Sequence, residues 1–168
     1  MELYEVIRNR RSVRAYKPDP VDPAALDRIL EAVRQAPSAA NKQPWRLYVI
    51  RDAAKREALR DAYAAEWFSG APVIICACGL PAQAWQRRDG KSYMDVDVAI
   101  AFEHLVLAAE AEGLGTCWVG AFDPRAARRV LQLPATEEPI AMTPLGLPAE
   151  VPPARERKPL EEIVTCIG

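Results

Sequence analysis

Two clusters of positive side chains, one near each end of the chain, are the residues best equipped for chemistry. Asn9-Arg10-Arg11-Ser12-Val13-Arg14 closes a short apolar helix with three guanidinium groups and a hydroxyl, and Arg155-Glu156-Arg157-Lys158 follows near the far end. Guanidinium forks donate parallel hydrogen bonds that match phosphate oxygens, and Ser12 adds a donor from the same short segment. In a chain of net charge -1, two such clusters suggest an anionic ligand gripped from both termini, a phosphorylated cofactor first of all. The competing reading is a solvated charged surface, which is the commoner one for an isolated Arg-Asn-Arg-Arg run.

Composition narrows the field. At 168 residues and 50% hydrophobic, residues 1–168 fit one globular domain with a sizeable core. With Lys+Arg 22 against Asp+Glu 23 there is no basic field to drive nucleic-acid binding by counterion release. The start, Met-Glu-Leu-Tyr-Glu, lacks the features of a secretory signal, and no apolar stretch reaches the roughly 20 residues that span a bilayer. A soluble, cytoplasmic protein without membrane contact is expected. Cys76, Cys78, Cys117 and Cys166 lie in apolar surroundings and read as reduced core residues. His104 is the single histidine, and Cys76 and Cys78 have no second pair at matching spacing, so no metal site is expected.

The elements that must position the clusters follow from periodicity and caps. Residues 2–10 read as a short helix. A clearer one runs from Pro23 to Ala36, with Leu26, Ile29, Leu30 and Val33 at helical spacing and Asp22 as N-cap before Pro23. A polar loop from Pro37 to Pro44 leads into a strand, Trp45 to Ile50. A helix from Asp52 to Tyr63 precedes a buried strand, Pro72 to Cys78, bounded by Gly70 and Gly79. Residues 80–94 show no period and read as an irregular segment, a candidate lid. Asp95 to Glu112 is helical and apolar over most of its circumference, so it must be covered on several sides, by a partner subunit or as a central core helix. Thr116 to Gly120 reads as a strand, Asp123 to Leu131 as a helix, Ile140 to Leu147 as a fourth strand, and Pro148 to Pro159 as a proline-rich basic tail. Alternating elements favour a parallel doubly wound sheet, but no G-x-G-x-x-G turn follows a strand, so a nicotinamide-binding Rossmann unit is not supported.

Four segments together, in order along nearly the whole chain, resemble the FMN-dependent nitroreductase family. They are Arg10-Arg11-Ser12-Val13-Arg14-Ala15-Tyr16, Ala36-Pro37-Ser38-Ala39-Ala40-Asn41-Lys42-Gln43-Pro44-Trp45, the stretch from Gly113 through Gly115 to Asp123, and Arg155-Glu156-Arg157-Lys158-Pro159-Leu160. None is specific alone; the co-occurrence carries the match. The resemblance implies an α+β fold with a central mixed sheet flanked by helices, assembled as a homodimer whose long helix spans the interface. It implies that Arg10, Arg11 and Ser12, with Arg155 and Arg157, hold the FMN phosphate. Arg14 would be a cation at the flavin edge where charge accumulates on reduction. Pro37, Ser38, Asn41 and Gln43 would reach the flavin across the dimer interface, and Gly120 and Ala121 would present backbone N–H groups to it. Taken without the family, the 37–44 loop reads as ordinary turn chemistry and Gly120 as a tight strand end.

No Ser-His-Asp arrangement can be assembled around His104, which reads as a packed core residue. Hydride transfer between nicotinamide and flavin needs no protein acid–base pair, because the cofactor carries the chemistry. The expected activity is FMN-dependent reduction of nitroaromatics or quinones with NADH or NADPH, in ping-pong fashion. Alternatives are a dehalogenase, heterocycle oxidase or flavin-consuming enzyme on the same fold, and a non-catalytic FMN-binding sensor. The chain is short between its second strand and its long helix, where substrate pockets are usually shaped, and Val119 stands where some relatives carry an acid. Trp67, Phe68, Trp85 and Tyr93 read as core aromatics that could also line a pocket.

Overall fold

The computed structural model describes residues 2–168. Three of the helices begin at a capping aspartate. After α1 (Leu3–Asn9), Asp22 accepts a hydrogen bond from the Ala24 N–H and opens α2 (Pro23–Arg34), with Pro23 as its first residue. Asp52 opens α3 (Ala53–Ala58) by accepting from the Lys55 N–H, and Asp123 opens α6 (Pro124–Leu131) by accepting from the Arg125 N–H. Each such cap contributes about 1 kcal/mol. The expected helix to Tyr63 ends earlier, α3 giving way to a single tight turn at Leu59–Asp61. Two four-residue helices, α4 (Glu66–Ser69) and α7 (Leu160–Ile163), are too short to leave a periodic signal.

The strands β1 (Trp45–Ile50), β2 (Val73–Gly79), β3 (Gly115–Thr116) and β4 (Glu138–Gly146) form one sheet in the order β1-β2-β4-β3. All three ladders are antiparallel. The parallel part of the expected mixed sheet is confined to one bridge, Ser12 to Thr116. Antiparallel neighbours require only that the chain re-enter the sheet at the end it left, and the segment holding α3 and α4 returns it there.

The strand expected at Thr116 to Gly120 is broken, for a physical reason. The pairings Thr116 to Leu145 and Val119 to Met142 share one register, which puts Cys117 opposite Pro144. Proline has no N–H to give the ladder. The Cys117 N–H instead donates to Thr143 Oγ1 at 3.0 Å, and the Thr143 hydroxyl donates to the Pro144 carbonyl at 2.7 Å.

Both faces of β2 are covered, and all seven of its residues are buried. Val73, Ile75 and Ala77 pack with α2 and α5 (Met94–Ala111), while Ile74, Cys76 and Cys78 pack with Leu59, Phe68 and Met142 on the other face. Burying one such aliphatic side chain contributes about 1.5–3 kcal/mol. Helix α5 is a central core helix against the sheet, α2 and α1, which accounts for most of its apolar circumference. Val96 is exposed, and Ile100 and Leu107 are only half-buried. His104 packs as expected, Nδ1 lying 3.1 Å from the Ala32 carbonyl of α2. Cys76, Cys78 and Cys117 are buried free thiols; Cys166 corrects the expectation, being exposed on the tail beyond the last packed element. No described helix is long and apolar enough to cross a membrane.

Candidate functional site

The two basic clusters meet, and the backbone shows why. After α1 the Arg10 N–H donates to the Val6 carbonyl, and the chain then runs beside β3, where the Val13 N–H donates to the Thr116 carbonyl at 2.9 Å. This approach depends on Gly115: a Cβ there would lie 2.9 Å from Val13 Cβ. Extended backbone alternates its side chains, so buried Val13 leaves Ser12 and Arg14 on the opposite face. Further on, the Lys17 N–H donates to the Leu147 carbonyl and the Ala149 N–H to the Ala15 carbonyl, each at 2.9 Å. These two bonds turn the C-terminal tail back along the N-terminal segment and carry Pro152–Arg157 to the Arg10 cluster.

Between them lies an open cleft of about 380 Å³. Arg8, Arg10, Arg11, Arg14, Arg155 and Arg157 line it together with Ser12, and no carboxylate does. Among the described residues none of these six arginines forms an ion pair, although seven pairs occur elsewhere. Gathering unpaired guanidinium groups costs repulsion that an anion relieves. Arg11 differs in detail from expectation: its Nη1 donates to the Arg8 carbonyl at 2.6 Å and the Arg10 carbonyl at 2.9 Å, closing the end of α1. Arg14 lies over the Trp67 ring, 5.7 Å from its centroid. Below the cleft, burial pushes the Cys117 thiol above its ordinary value against the pull of Arg14, Ser12 and Arg10. Burial likewise pushes the Tyr16 phenol well up, Cys117 adding to the shift and Arg14 opposing it. The Tyr16 hydroxyl donates to the Val13 carbonyl at 2.7 Å.

The expected loop residues are elsewhere. Pro37, Ser38, Asn41 and Gln43 form a surface loop before β1, at the end of the sheet where Trp45 pairs with Gly79 and Gly79 with Glu138. The arginine cleft is level with Leu145, toward the other end of β4. Seven residues of strand separate those levels, about 24 Å, and the three inter-strand spacings from β1 to β3 add about 14 Å across. Gly120 and Ala121 are exposed just past the Val119 bridge. A Cβ at Gly120 would meet only the Trp118 indole, at 3.6 Å or more, so nothing among the described residues requires glycine there. A single chain therefore unites Arg10, Arg11, Ser12, Arg14, Arg155 and Arg157, and leaves the Pro37–Gln43 loop apart from them.

Three residues of interest escape a reading by motif. Arg8 joins the cleft from the last turn of α1. Trp67 carries Arg14 on its face, while joining Tyr63 and Phe68 in edge-to-face contacts at 5.7 and 6.3 Å. Asp97, in the first turn of α5, is 1% exposed, and its Oδ1 accepts from the Ala39 N–H at 2.9 Å. An acid set among Met94, Val96 and Val98 was the available signal.

Comparison with known proteins places this arrangement. The family model for the nitroreductase family matches residues 7–70 and 60–147. An "NADH dehydrogenase" of Thermus thermophilus is 34% identical, over 92% of this chain and 91% of that protein. A "5,6-dimethylbenzimidazole synthase" of Rhodobacter capsulatus is 33% identical over 87% and 83%, and an "FMN reductase [NAD(P)H]" of Bacillus subtilis 27% over 96% and 72%. A crystal structure of a nitroreductase family protein from Clostridium difficile superposes with a TM-score of 0.90 at 34% identity, covering 98% of each chain. By sequence along most of its length and by its α+β architecture, the chain belongs to the nitroreductase family.

Proposed function

We propose that this protein is an FMN-dependent NAD(P)H oxidoreductase that reduces electron-poor acceptors such as nitroaromatics or quinones, working as a cytoplasmic homodimer formed from one-domain chains. The observation that carries the reading is the cleft of six unpaired arginines and Ser12, free of carboxylates. Its polar side chains are all donors, as a phosphate dianion needs, and the size suits a phosphate with part of the chain attached to it. Arg10, Ser12, Arg155 and Arg157 hold that phosphate by charge-assisted hydrogen bonds, and Arg8 and Arg11 add to the positive field. Arg14, steadied on Trp67, is the cation for the electron-rich edge of the ring. When bound, FMN supplies the acceptance and release of hydride; the chain's own part is to bind, orient and tune.

The dimer follows from the incomplete site. The Pro37–Gln43 loop and the arginine cleft sit near opposite ends of the sheet, so both act on one cofactor only when a second copy presents its loop to the cleft. The exposed Val96 and half-buried Ile100 and Leu107 on α5 give that copy an apolar stripe to cover.

A synthase of 33% identity among the relatives favours, as a second reading, transformation of a heterocycle on the same flavin site. The absorption spectrum of the purified protein is the first test, and apoprotein should take up FMN at micromolar concentration. Anaerobic mixing with NADH or NADPH should then bleach the flavin. Apoprotein that refuses FMN overturns the reading; bound flavin that stays unbleached at saturating reductant removes the nicotinamide step and leaves the second reading or a sensor.

A further inference from the structure

The Ser38–Gln43 loop holds an unfavourable shape. Ala40, Asn41 and Gln43 all have left-handed backbone, with φ of 50°, 54° and 48°. Asparagine tolerates this region, but alanine and glutamine do so at about 1 kcal/mol or more each. Something must hold the loop there, and local bonds do part of it: the Gln43 N–H donates to Ser38 Oγ at 2.8 Å and Gln43 Nε2 to Asn41 Oδ1 at 3.1 Å. Both bonds lie within the loop, so they fix its internal shape without tying it to the body of the protein.

The tie to the body is Asp97. Its Oδ1 takes the Ala39 N–H across 58 residues of sequence, from a carboxylate that is almost completely buried on the central helix. Its other oxygen, Oδ2, is buried with no hydrogen-bond partner among the described residues. A buried carboxylate with one unsatisfied oxygen is costly for stability, and an apolar residue at this helical position would pack without that cost. The helix N-terminus offsets a fraction through its dipole. What the carboxylate provides that an apolar residue cannot is a strong, fixed acceptor for the one backbone N–H that enters the strained turn.

We propose that Asp97 is the positioning residue of the cofactor loop: by anchoring Ala39 to the first turn of α5 it holds Ser38, Asn41 and Gln43 in the shape that contacts flavin. The proposal rests on the functional reading above for the ligand, and on the Asp97 to Ala39 bond for the device. Because α5 also carries the apolar stripe assigned to the second copy, the anchor sets the loop relative to the helix on which the subunits meet.

Amide hydrogen exchange of the apoprotein and FMN titration, on wild type, Asp97→Ala and Asp97→Asn, test it. Asparagine keeps an oxygen acceptor at Oδ1. The expected result is faster exchange of the Ala39–Gln43 segment in Asp97→Ala, with FMN binding weakened at least tenfold, while Asp97→Asn recovers protection and stays within about threefold of wild type. Equal FMN affinity in wild type and Asp97→Ala overturns the proposal. So does Asp97→Asn losing protection of this segment no less than the alanine variant, or, should the alanine variant fail to fold, failing to retain wild-type protection. Wild-type apoprotein that refuses FMN refutes the flavin assignment instead, and the exchange comparison still decides whether Asp97 holds the loop.

Discussion

The guanidinium carbon of Arg14 stands 5.7 Å from the centre of the Trp67 ring, so the cation assigned to the flavin edge is steadied by an aromatic face rather than by a carboxylate. The difference matters electrostatically. A carboxylate partner would cancel the positive charge, whereas the ring's quadrupole orients it and leaves its field intact, for about 0.5–1 kcal/mol at an exposed site.

Arg14→Met should therefore retain FMN and lower its midpoint potential, because a cation favouring the reduced, more negative form is gone. Trp67→Leu should move the potential in the same direction by less, and should also lower the melting temperature through loss of the contacts with Tyr63 and Phe68, each worth about 0.5–1.5 kcal/mol. Spectroelectrochemical titration of the three proteins checks this. An unchanged potential in Arg14→Met removes Arg14 from the tuning role.

Joining Arg10→Ala with Arg157→Ala takes one guanidinium from each end of the chain. If each donates a charge-assisted bond worth about 1.5–3 kcal/mol, FMN affinity falls by about two to four powers of ten. Both side chains lie in the cleft without ion pairs among the described residues, so the fold should be little affected. Fluorescence titration of FMN into the double variant, beside a thermal melt, measures both effects, and normal occupancy would contradict the phosphate grip.

The convergence of the two basic clusters was legible because Arg and Ser at short spacing have few other common purposes once a second cluster answers them. β1 was legible to the residue, and α2 nearly so, because a capping Asp, a Pro at the first position and helical periodicity agree there. The break in the strand after Thr116 was not, because it depends on Pro144, which is remote in sequence and acts only once the register is set. Asp97 was hidden for a related reason: its partner is a backbone N–H, which any residue at position 39 would supply, so no side-chain pattern betrays the bond. The exposure of Cys166 follows from the tail's lack of packing, which composition does not reveal.

Glu110, on the last turns of α5, gives a pH signature. Burial raises its carboxyl above the ordinary value of 4.5, with Arg11 and Arg10 pulling the other way. The folded chain thus holds this proton more tightly than the unfolded chain does. Its contribution to stability is full below the unfolded value and is lost as pH rises through the raised folded value. Glu110→Gln should flatten that dependence, with a difference of no more than about 0.5 kcal/mol because the side chain is only partly buried and Arg11 and Arg10 oppose the shift. Removing a negative charge near Arg10 and Arg11 should also tighten FMN binding, by up to about fivefold. Melts from pH 4 to 8 and titration at pH 7 test the two effects, and looser FMN binding in the variant would refute the second.

Gly115→Ala examines the link between fold and cleft. The new Cβ would sit 2.9 Å from both Cβ and Cγ2 of Val13, so either Val13 leaves its buried position or the Ser12–Val13 backbone moves off β3. Overpacking of this kind costs about 1–3 kcal/mol. Moving the backbone would also stretch the bond from the Val13 N–H to the Thr116 carbonyl and shift Ser12 and Arg14, which flank Val13 on the cleft side. The variant should therefore lose both melting temperature and FMN affinity, whereas a core defect remote from the cleft would lower the first alone. Val13→Gly removes all three colliding carbons, so combining it with Gly115→Ala should restore FMN affinity further than it restores stability. Affinity that stays low in the double variant would mean that the glycine serves something other than this close approach.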